Sequence, residues 1–260
     1  MKKVAQHMPI KQMAHLLVEV AALLISNGAN STRTKRNVLR IAAAYGYRVE
    51  VFFSFSGVVL TVHHPEDAST ETLVKTITAH GINFSLISAI SILSWDIAAH
   101  QPSYLTIQKR LSTIKKQPPY SNWLKMLSIG IATAALCKIF AGSYLEFIIA
   151  FIAGCIGFWV KLFLHQKHYN IFMLTLFSAF TSVSVVKAAI LLGAGDCYAA
   201  LTACVLWLIP GVPLINGFLD LLEGHIVSGW AKAALGTMLI FMIAVGYYMS
   251  IFIFKLAYGI

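Results

Sequence analysis

The spacing of apolar residues changes character near Lys125. Ahead of it, apolar positions alternate with polar ones at helical or strand periods; beyond it they run on in stretches of about 18 or more residues, long enough to span a bilayer. In the first part, Met13, Leu16, Leu17, Val20, Ala21, Leu23 and Leu24 predict an amphipathic helix over 11–27. Asn27-Gly28 stops it, because glycine tolerates the left-handed conformation at a helix C-terminus. Asn30-Ser31-Thr32 then offers caps for a second helix reaching about Tyr45, with Arg33, Lys35, Arg36 and Arg40 opposite Val38, Ile41 and Ala42. That basic face suits either a solvated surface near anionic lipid headgroups or an anion-binding surface at the cytoplasmic mouth of a pore. Two β-rich runs around Ser56-Gly57 predict a hairpin that must pack on its neighbours to be stable. His63-His64-Pro65 closes it, and adjacent histidines on a strand face opposite ways, which disfavours a shared metal. Residues 69–79 and 84–116 read as helical, with joints at His80-Gly81 and Gln101-Pro102. Pro118-Pro119 cannot continue a helix and marks a linker.

The second part predicts five spans, at about 123–141, 144–163, 169–192, 197–215 and 230–256. The expected fold is therefore a multi-pass α-helical membrane protein with a small N-terminal α+β cytoplasmic domain. Its two regions are 1–120 and 121–260. Tyr120 and Trp123 fall where an interfacial aromatic belt belongs. Ala150 and Gly154, with Gly157 a turn further on, allow close helix packing.

Composition agrees with this division. Of 260 residues, 58% are hydrophobic and only 12% charged, against about a quarter charged in a soluble globular chain. The net charge of +10 is concentrated, because fourteen of the twenty Lys and Arg lie at or before Lys125. That bias places the N-terminus in the cytoplasm, and five crossings leave the C-terminus outside. Charge beside the first span, without a basic face carrying stacking aromatics, points away from nucleic acid. Cys137, Cys155, Cys197 and Cys204 sit in or beside apolar runs without a CxxC pair, so neither a disulfide framework nor a zinc site is expected. The apolar run Ala14–Ile25 is too short to span, and no cleavable signal peptide is read. No phosphate-binding loop, catalytic triad or carboxylate pair stands out, so neither an enzyme nor a cofactor is expected.

The most informative stretch is Leu208–Glu223. Pro210 and Pro213 each remove a backbone donor and Gly211 relaxes the chain between them, which predicts a broken helix. Lipid cannot satisfy the freed backbone groups, so the break must face protein or a watery cavity. An ordinary Pro-terminated helix followed by an acidic loop would read the same way. Asn216, Asp220 and Glu223 follow at helical spacing and would share one face. Lys138, Glu146, Lys187 and Asp196 map toward the outer ends of spans. Snorkelling to the interface accounts for Lys138, whereas Lys187, more than a turn inside its span, is a pathway candidate.

Three stretches together resemble the N-terminal unit of the threonine/serine exporter family. They are Leu23–Arg33, containing Gly28-Ala29 and Arg33; the hairpin Val49–Val62 with the later Gly81-Ile82-Asn83-Phe84; and Leu208–Asp220 followed by Gly224 and Ser228-Gly229. The resemblance implies export of small polar metabolites across the cell inner membrane, driven by the proton gradient. Carried over by position, its motif residues are Gly28, Arg33, Pro210, Gly211, Pro213, Asn216 and Asp220, with Glu223 and Lys187 added from the pathway argument above. Single-chain members continue into a second membrane unit, so this chain resembles the larger subunit of the split form and is expected to need a smaller membrane partner. A homo-oligomer is compatible with that. The split form leaves the substrate open between threonine/serine and a dicarboxylate such as succinate. A membrane-anchored sensor or scaffold, with spans that only anchor, is the competing reading.

Overall fold

The computed structural model describes residues 8–64, 66–78, 81–116 and 120–259. The chain divides into two compact units: residues up to 118 together with Gly211–Leu235, and Pro119–Pro210 together with Gly236–Ile260.

In the first unit, α1 (Ile10–Ser26) buries Met13, Leu16, Leu17, Val20, Ala21 and Leu24, the stripe its periodicity predicts. Asn30 caps α2 (Ser31–Ala44) by accepting a hydrogen bond from the Arg33 N–H at 2.8 Å. Val38, Ile41 and Ala42 face inward, while Arg33, Lys35 and Arg36 are exposed. Strands β1 (Arg48–Ser54) and β2 (Gly57–His63) form the expected hairpin, with Val58, Leu60 and Val62 buried on one face.

Residues 69–79, expected to be helical, instead contribute a third antiparallel strand, β3 (Thr70–Thr76), in the order β1-β2-β3. Leu73, Val74 and Ile77 mimic a helical stripe. The threonine-rich run favours extended backbone, however, and β2 offers it a free edge. The Thr61 and Thr72 hydroxyls meet across that pairing at 2.9 Å. Then follow α3 (Phe84–His100) and α4 (Tyr104–Lys115), turning at Gln101-Pro102 as anticipated. Gln101 adopts the left-handed conformation there, and its amide donates to the Ala44 carbonyl at 2.5 Å. Burial pushes the Tyr45 phenol up to about 12, so it stays a hydroxyl donor to the Pro102 carbonyl and ties α2 to that turn. His80, Pro65 and the Pro118-Pro119 linker lie outside the described residues.

In the second unit, α5 (Asn122–Ile139), α6 (Tyr144–Gln166) and α7 (Ile171–Ala189) pack in sequence, and α7 ends in a π-helical turn, Ile190–Ala194. Small residues set the approach: a Cβ on Gly154 would lie 2.7 Å from the Thr133 hydroxyl, and one on Gly157 would lie 2.0 Å from the Ser182 hydroxyl. The Glu146 carboxylate closes a capping box with Ser143 and also accepts the Ala199 N–H at 3.0 Å, joining the starts of α6 and α8 (Tyr198–Ala203). Lys138 donates to the Gly142 carbonyl at 2.8 Å, at the end of α5.

Beyond α8, a short 3-10 turn (Leu206–Leu208) leads to Pro210, and the helix resumes as α9 (Gly211–Leu222). The last helix, α10 (Ile226–Tyr258), runs for 33 residues, about 50 Å at 1.5 Å per residue. Among the described residues three helices, α6, α7 with its π turn, and α10, are long and apolar enough to cross a membrane; the bent α8–α9 pair makes four if counted as one broken span. The shorter α5 carries Lys125 and Lys138 near its ends and falls outside that group, so length and apolarity give three or four spans where the sequence predicts five.

Candidate functional site: a buried carboxylate on the helix after the break

Pro210 and Pro213 place the helix start. Ile209 is extended (φ −55°, ψ 125°), as a residue before proline prefers, and Pro213 sits in the first turn of α9, where no backbone donor is missed. Gly211 has open space around its Cα.

Asn216 and Asp220, one turn apart, both reach residues at the α1–α2 connection. The Asn216 amide donates to the Gly28 carbonyl at 2.8 Å. Gly28 has φ +93°, a conformation that favours glycine. Asp220 is fully buried and its carboxylate accepts four hydrogen bonds. The Ser31 N–H reaches Oδ1 at 2.9 Å, and Oδ2 receives the Ser31 hydroxyl at 2.7 Å, the Ser228 hydroxyl at 2.9 Å and the Lys232 ammonium at 2.6 Å. Ser31 opens α2, so its N–H is one that the helix cannot satisfy itself, and a carboxylate there also meets the positive end of the helix dipole. The Lys232 side chain is only 8% exposed. Both charges are thus desolvated, paired and hydrogen-bonded, which is the condition for tolerating them in an interior.

Crossing glycines make this geometry reachable. A Cβ on Gly217 would lie 2.8 Å from the Ala233 nitrogen, and one on Gly229 would lie 2.9 Å from the Gly217 carbonyl oxygen. So α9 meets the start of α10 backbone to backbone. Gly224, with φ +82°, turns the chain between them. The site is closed. Open clefts of this unit lie elsewhere, along α1, β3 and α4 and beside Arg48, Glu50, His63 and His64.

The other sequence candidates are not gathered here. Glu223 falls one residue past the end of α9 and is exposed. Arg33 is exposed and donates to the Ser91 hydroxyl at 3.3 Å. Lys187 occupies the last turn of α7 in the second unit, without a carboxylate in ion-pair range among the described residues. His63 lies 3.9 Å from Glu50 while His64 pairs with Asp67, so the two histidines have different partners.

Sequence reasoning missed Ser31, Ser228 and Lys232 as site residues. A signal existed for the last: a lone lysine in an apolar helix implies a nearby carboxylate. Replacing Ser31 with Ala removes a hydrogen bond to a charged group and should lower stability by about 1.5–3 kcal/mol, whereas Ser31→Thr keeps the hydroxyl. Thermal unfolding of the purified chain would read the difference.

The sequence model of the family described as "Putative threonine/serine exporter" (ThrE) matches residues 15–254, which takes in every element of this site. The chain belongs to the threonine/serine exporter family. The chain is similar to the Escherichia coli protein named "Probable succinate transporter subunit YjjP", 29% identical over 251 residues, covering 95% of this chain and 96% of that protein. The Klebsiella aerogenes protein of the same name is 28% identical over 244 residues, covering 92% and 93% respectively. An uncharacterized Haemophilus influenzae protein is 26% identical over 158 residues, 60% of this chain and 50% of its own length. No solved structure matches. Membership in an exporter family and the long apolar helices together make this a membrane protein of the transporter class.

Proposed function

We propose that the chain is the larger subunit of a two-component secondary exporter that moves small carboxylate-bearing metabolites, succinate first among them, out across the cytoplasmic membrane. The observation that carries this reading is the Asp220–Lys232 pair, a fully buried carboxylate on the helix that follows a proline break. Ionisable groups in that setting mark ion and substrate pathways in membrane proteins. Nearly full-length relatives named as succinate transporter subunits support the substrate, and the word "subunit" in their names supports a smaller membrane partner.

In this reading α5, α6, α7, the bent α8–α9 pair and α10 are five crossings, starting in the cytoplasm and ending outside. Counting residues then puts Asp220 and Lys232 at the cytoplasmic ends of their helices, where Ser31 of the cytoplasmic region completes the latch. Protonation of Asp220 would neutralise the carboxylate, free Lys232 and open the latch, coupling export to the proton gradient.

Deleting this gene together with its partner in an overproducing strain should raise intracellular succinate, and restoring both should reverse it. Should Asp220→Asn and Pro210→Ala leave efflux intact while variants confined to residues 8–116 lose function, the chain is a membrane-anchored sensor instead. Unchanged efflux of succinate, threonine and serine on deletion removes the transport reading altogether.

A further inference from the structure

The second unit holds a cation and a donor that the latch does not use. Lys161 lies on α6 with its ammonium 5.4 Å from the centre of the Trp207 indole ring. Trp207 belongs to the 3-10 turn just before Pro210. Its indole N–H is buried and meets no acceptor among the described residues. Lys161 likewise has no carboxylate in ion-pair range among them.

Snorkelling does not account for this lysine. A snorkelling side chain runs toward the nearer end of its helix, which for Lys161 is Gln166. Trp207 instead packs a turn the other way: a Cβ on Gly157 would sit 3.2 Å from its ring, and Phe158 meets it edge-on at 6.0 Å between ring centroids. In reaching the indole, the ammonium therefore turns back toward the middle of α6. Side chains on a helix lean that way, toward its N-terminus. The facing strip of α7 is polar, with Ser178 and Ser182 both fully buried.

An ammonium and an indole N–H are both donors. What completes such a pair is a group with several acceptor lone pairs and a negative charge, and a carboxylate has both. The unit supplies none of its own. Its two acidic residues are Glu146, engaged in capping α6 and α8, and Asp196, exposed in the α7–α8 connection. Neither carboxylate lies in ion-pair range of Lys161, so none stands beside it for the ammonium of a zwitterion.

We propose that Lys161 and Trp207 bind a carboxylate group of the transported substrate beside the helix break, and that the site prefers a dicarboxylate to a zwitterionic amino acid. This rests on the transport reading above, but binding is measured apart from transport. Purified full-length chain is titrated with succinate, with threonine and with inorganic phosphate, following thermal stabilisation or heat of binding. Succinate should bind the unaltered chain more tightly than threonine does. Lys161→Gln should weaken it about thirtyfold or more, because it removes the charged half of a desolvated pair. Lys161→Arg keeps the charge and should stay within about threefold. Trp207→Phe, which keeps the ring and removes the N–H, should weaken succinate by a smaller factor. Lys161→Gln gives up only the contact of the ammonium with the Trp207 ring and removes a cation that has no carboxylate partner among the described residues, so it should elute from size exclusion as the unaltered chain does.

No succinate binding by the unaltered chain, equal binding by Lys161→Gln, threonine bound as tightly as succinate, or phosphate displacing succinate at equal concentration would each overturn the assignment. Efflux that persists with binding independent of Lys161 removes this site and leaves the transport reading standing. Binding that depends on Lys161 in a chain without efflux does the reverse.

Discussion

Asp220→Asn is expected to abolish export and to destabilise the chain more than any other single polar substitution. Asparagine nearly matches aspartate in shape and can still accept from Ser31. It cannot neutralise Lys232, whose ammonium lies 2.6 Å from Oδ2 and is almost wholly buried. Removing one partner of a buried pair leaves an uncompensated charge, at a cost of about 3–5 kcal/mol. Folded yield, read by size exclusion of the solubilised chain, should therefore fall. Replacing both charges, Asp220→Asn with Lys232→Met, should restore much of the yield, because the unpaired cation is gone. Export should stay absent in that double variant, since the titratable carboxylate is gone too. Recovery of export with yield would make the pair a purely structural feature.

Bulk at the crossing of α9 and α10 should act as strongly by a different route. Gly229→Val places side-chain atoms within 3 Å of the Leu221 Cγ, at 2.8 Å from the first added carbon, and of the Gly217 carbonyl oxygen and the Leu221 nitrogen, both at 2.9 Å. The Leu221 side chain can rotate away, but the two backbone atoms cannot. The helices must separate, and Ser228 and Lys232 then move off Asp220. Overpacking typically costs about 1–3 kcal/mol, and a clash with backbone belongs at or beyond the upper end. Gly211→Ala is the contrasting case. That glycine lies between Pro210 and Pro213 at the start of α9, where a Cβ meets nothing within 4 Å and its φ is not positive. Gly211→Ala should fold as the unaltered chain does, while Gly229→Val should lose most of its folded yield.

The contrast between these glycines shows where sequence reading reaches and where it stops. Local signals carried well. The Asn30 cap, the Ser56-Gly57 turn, the joint at Gln101-Pro102 and the break at Pro210 are all set by neighbouring residues, and each appears where the chain predicts it. The third strand did not carry, because its formation depends on the edge of β2 and Leu73, Val74 and Ile77 happen to imitate a helical stripe. The site was half legible. A proline-broken helix with a carboxylate two turns on could be read directly, but the Ser31 contact to Asp220 joins residues 189 positions apart, and no periodicity encodes that. The crossing role of Gly217 and Gly229 was invisible for the same reason: only the partner helix distinguishes them from Gly211.

Gradient-driven movement of substrate through the proposed pair of subunits is the central expectation. Proteoliposomes holding this chain with the proposed smaller subunit, loaded with labelled succinate, threonine or serine and given an imposed proton gradient, test it. The expected result is gradient-dependent movement of succinate that requires both subunits and disappears with Asp220→Asn. Failure of all three compounds to move with both subunits present, or movement at the unaltered rate by Asp220→Asn, would contradict it.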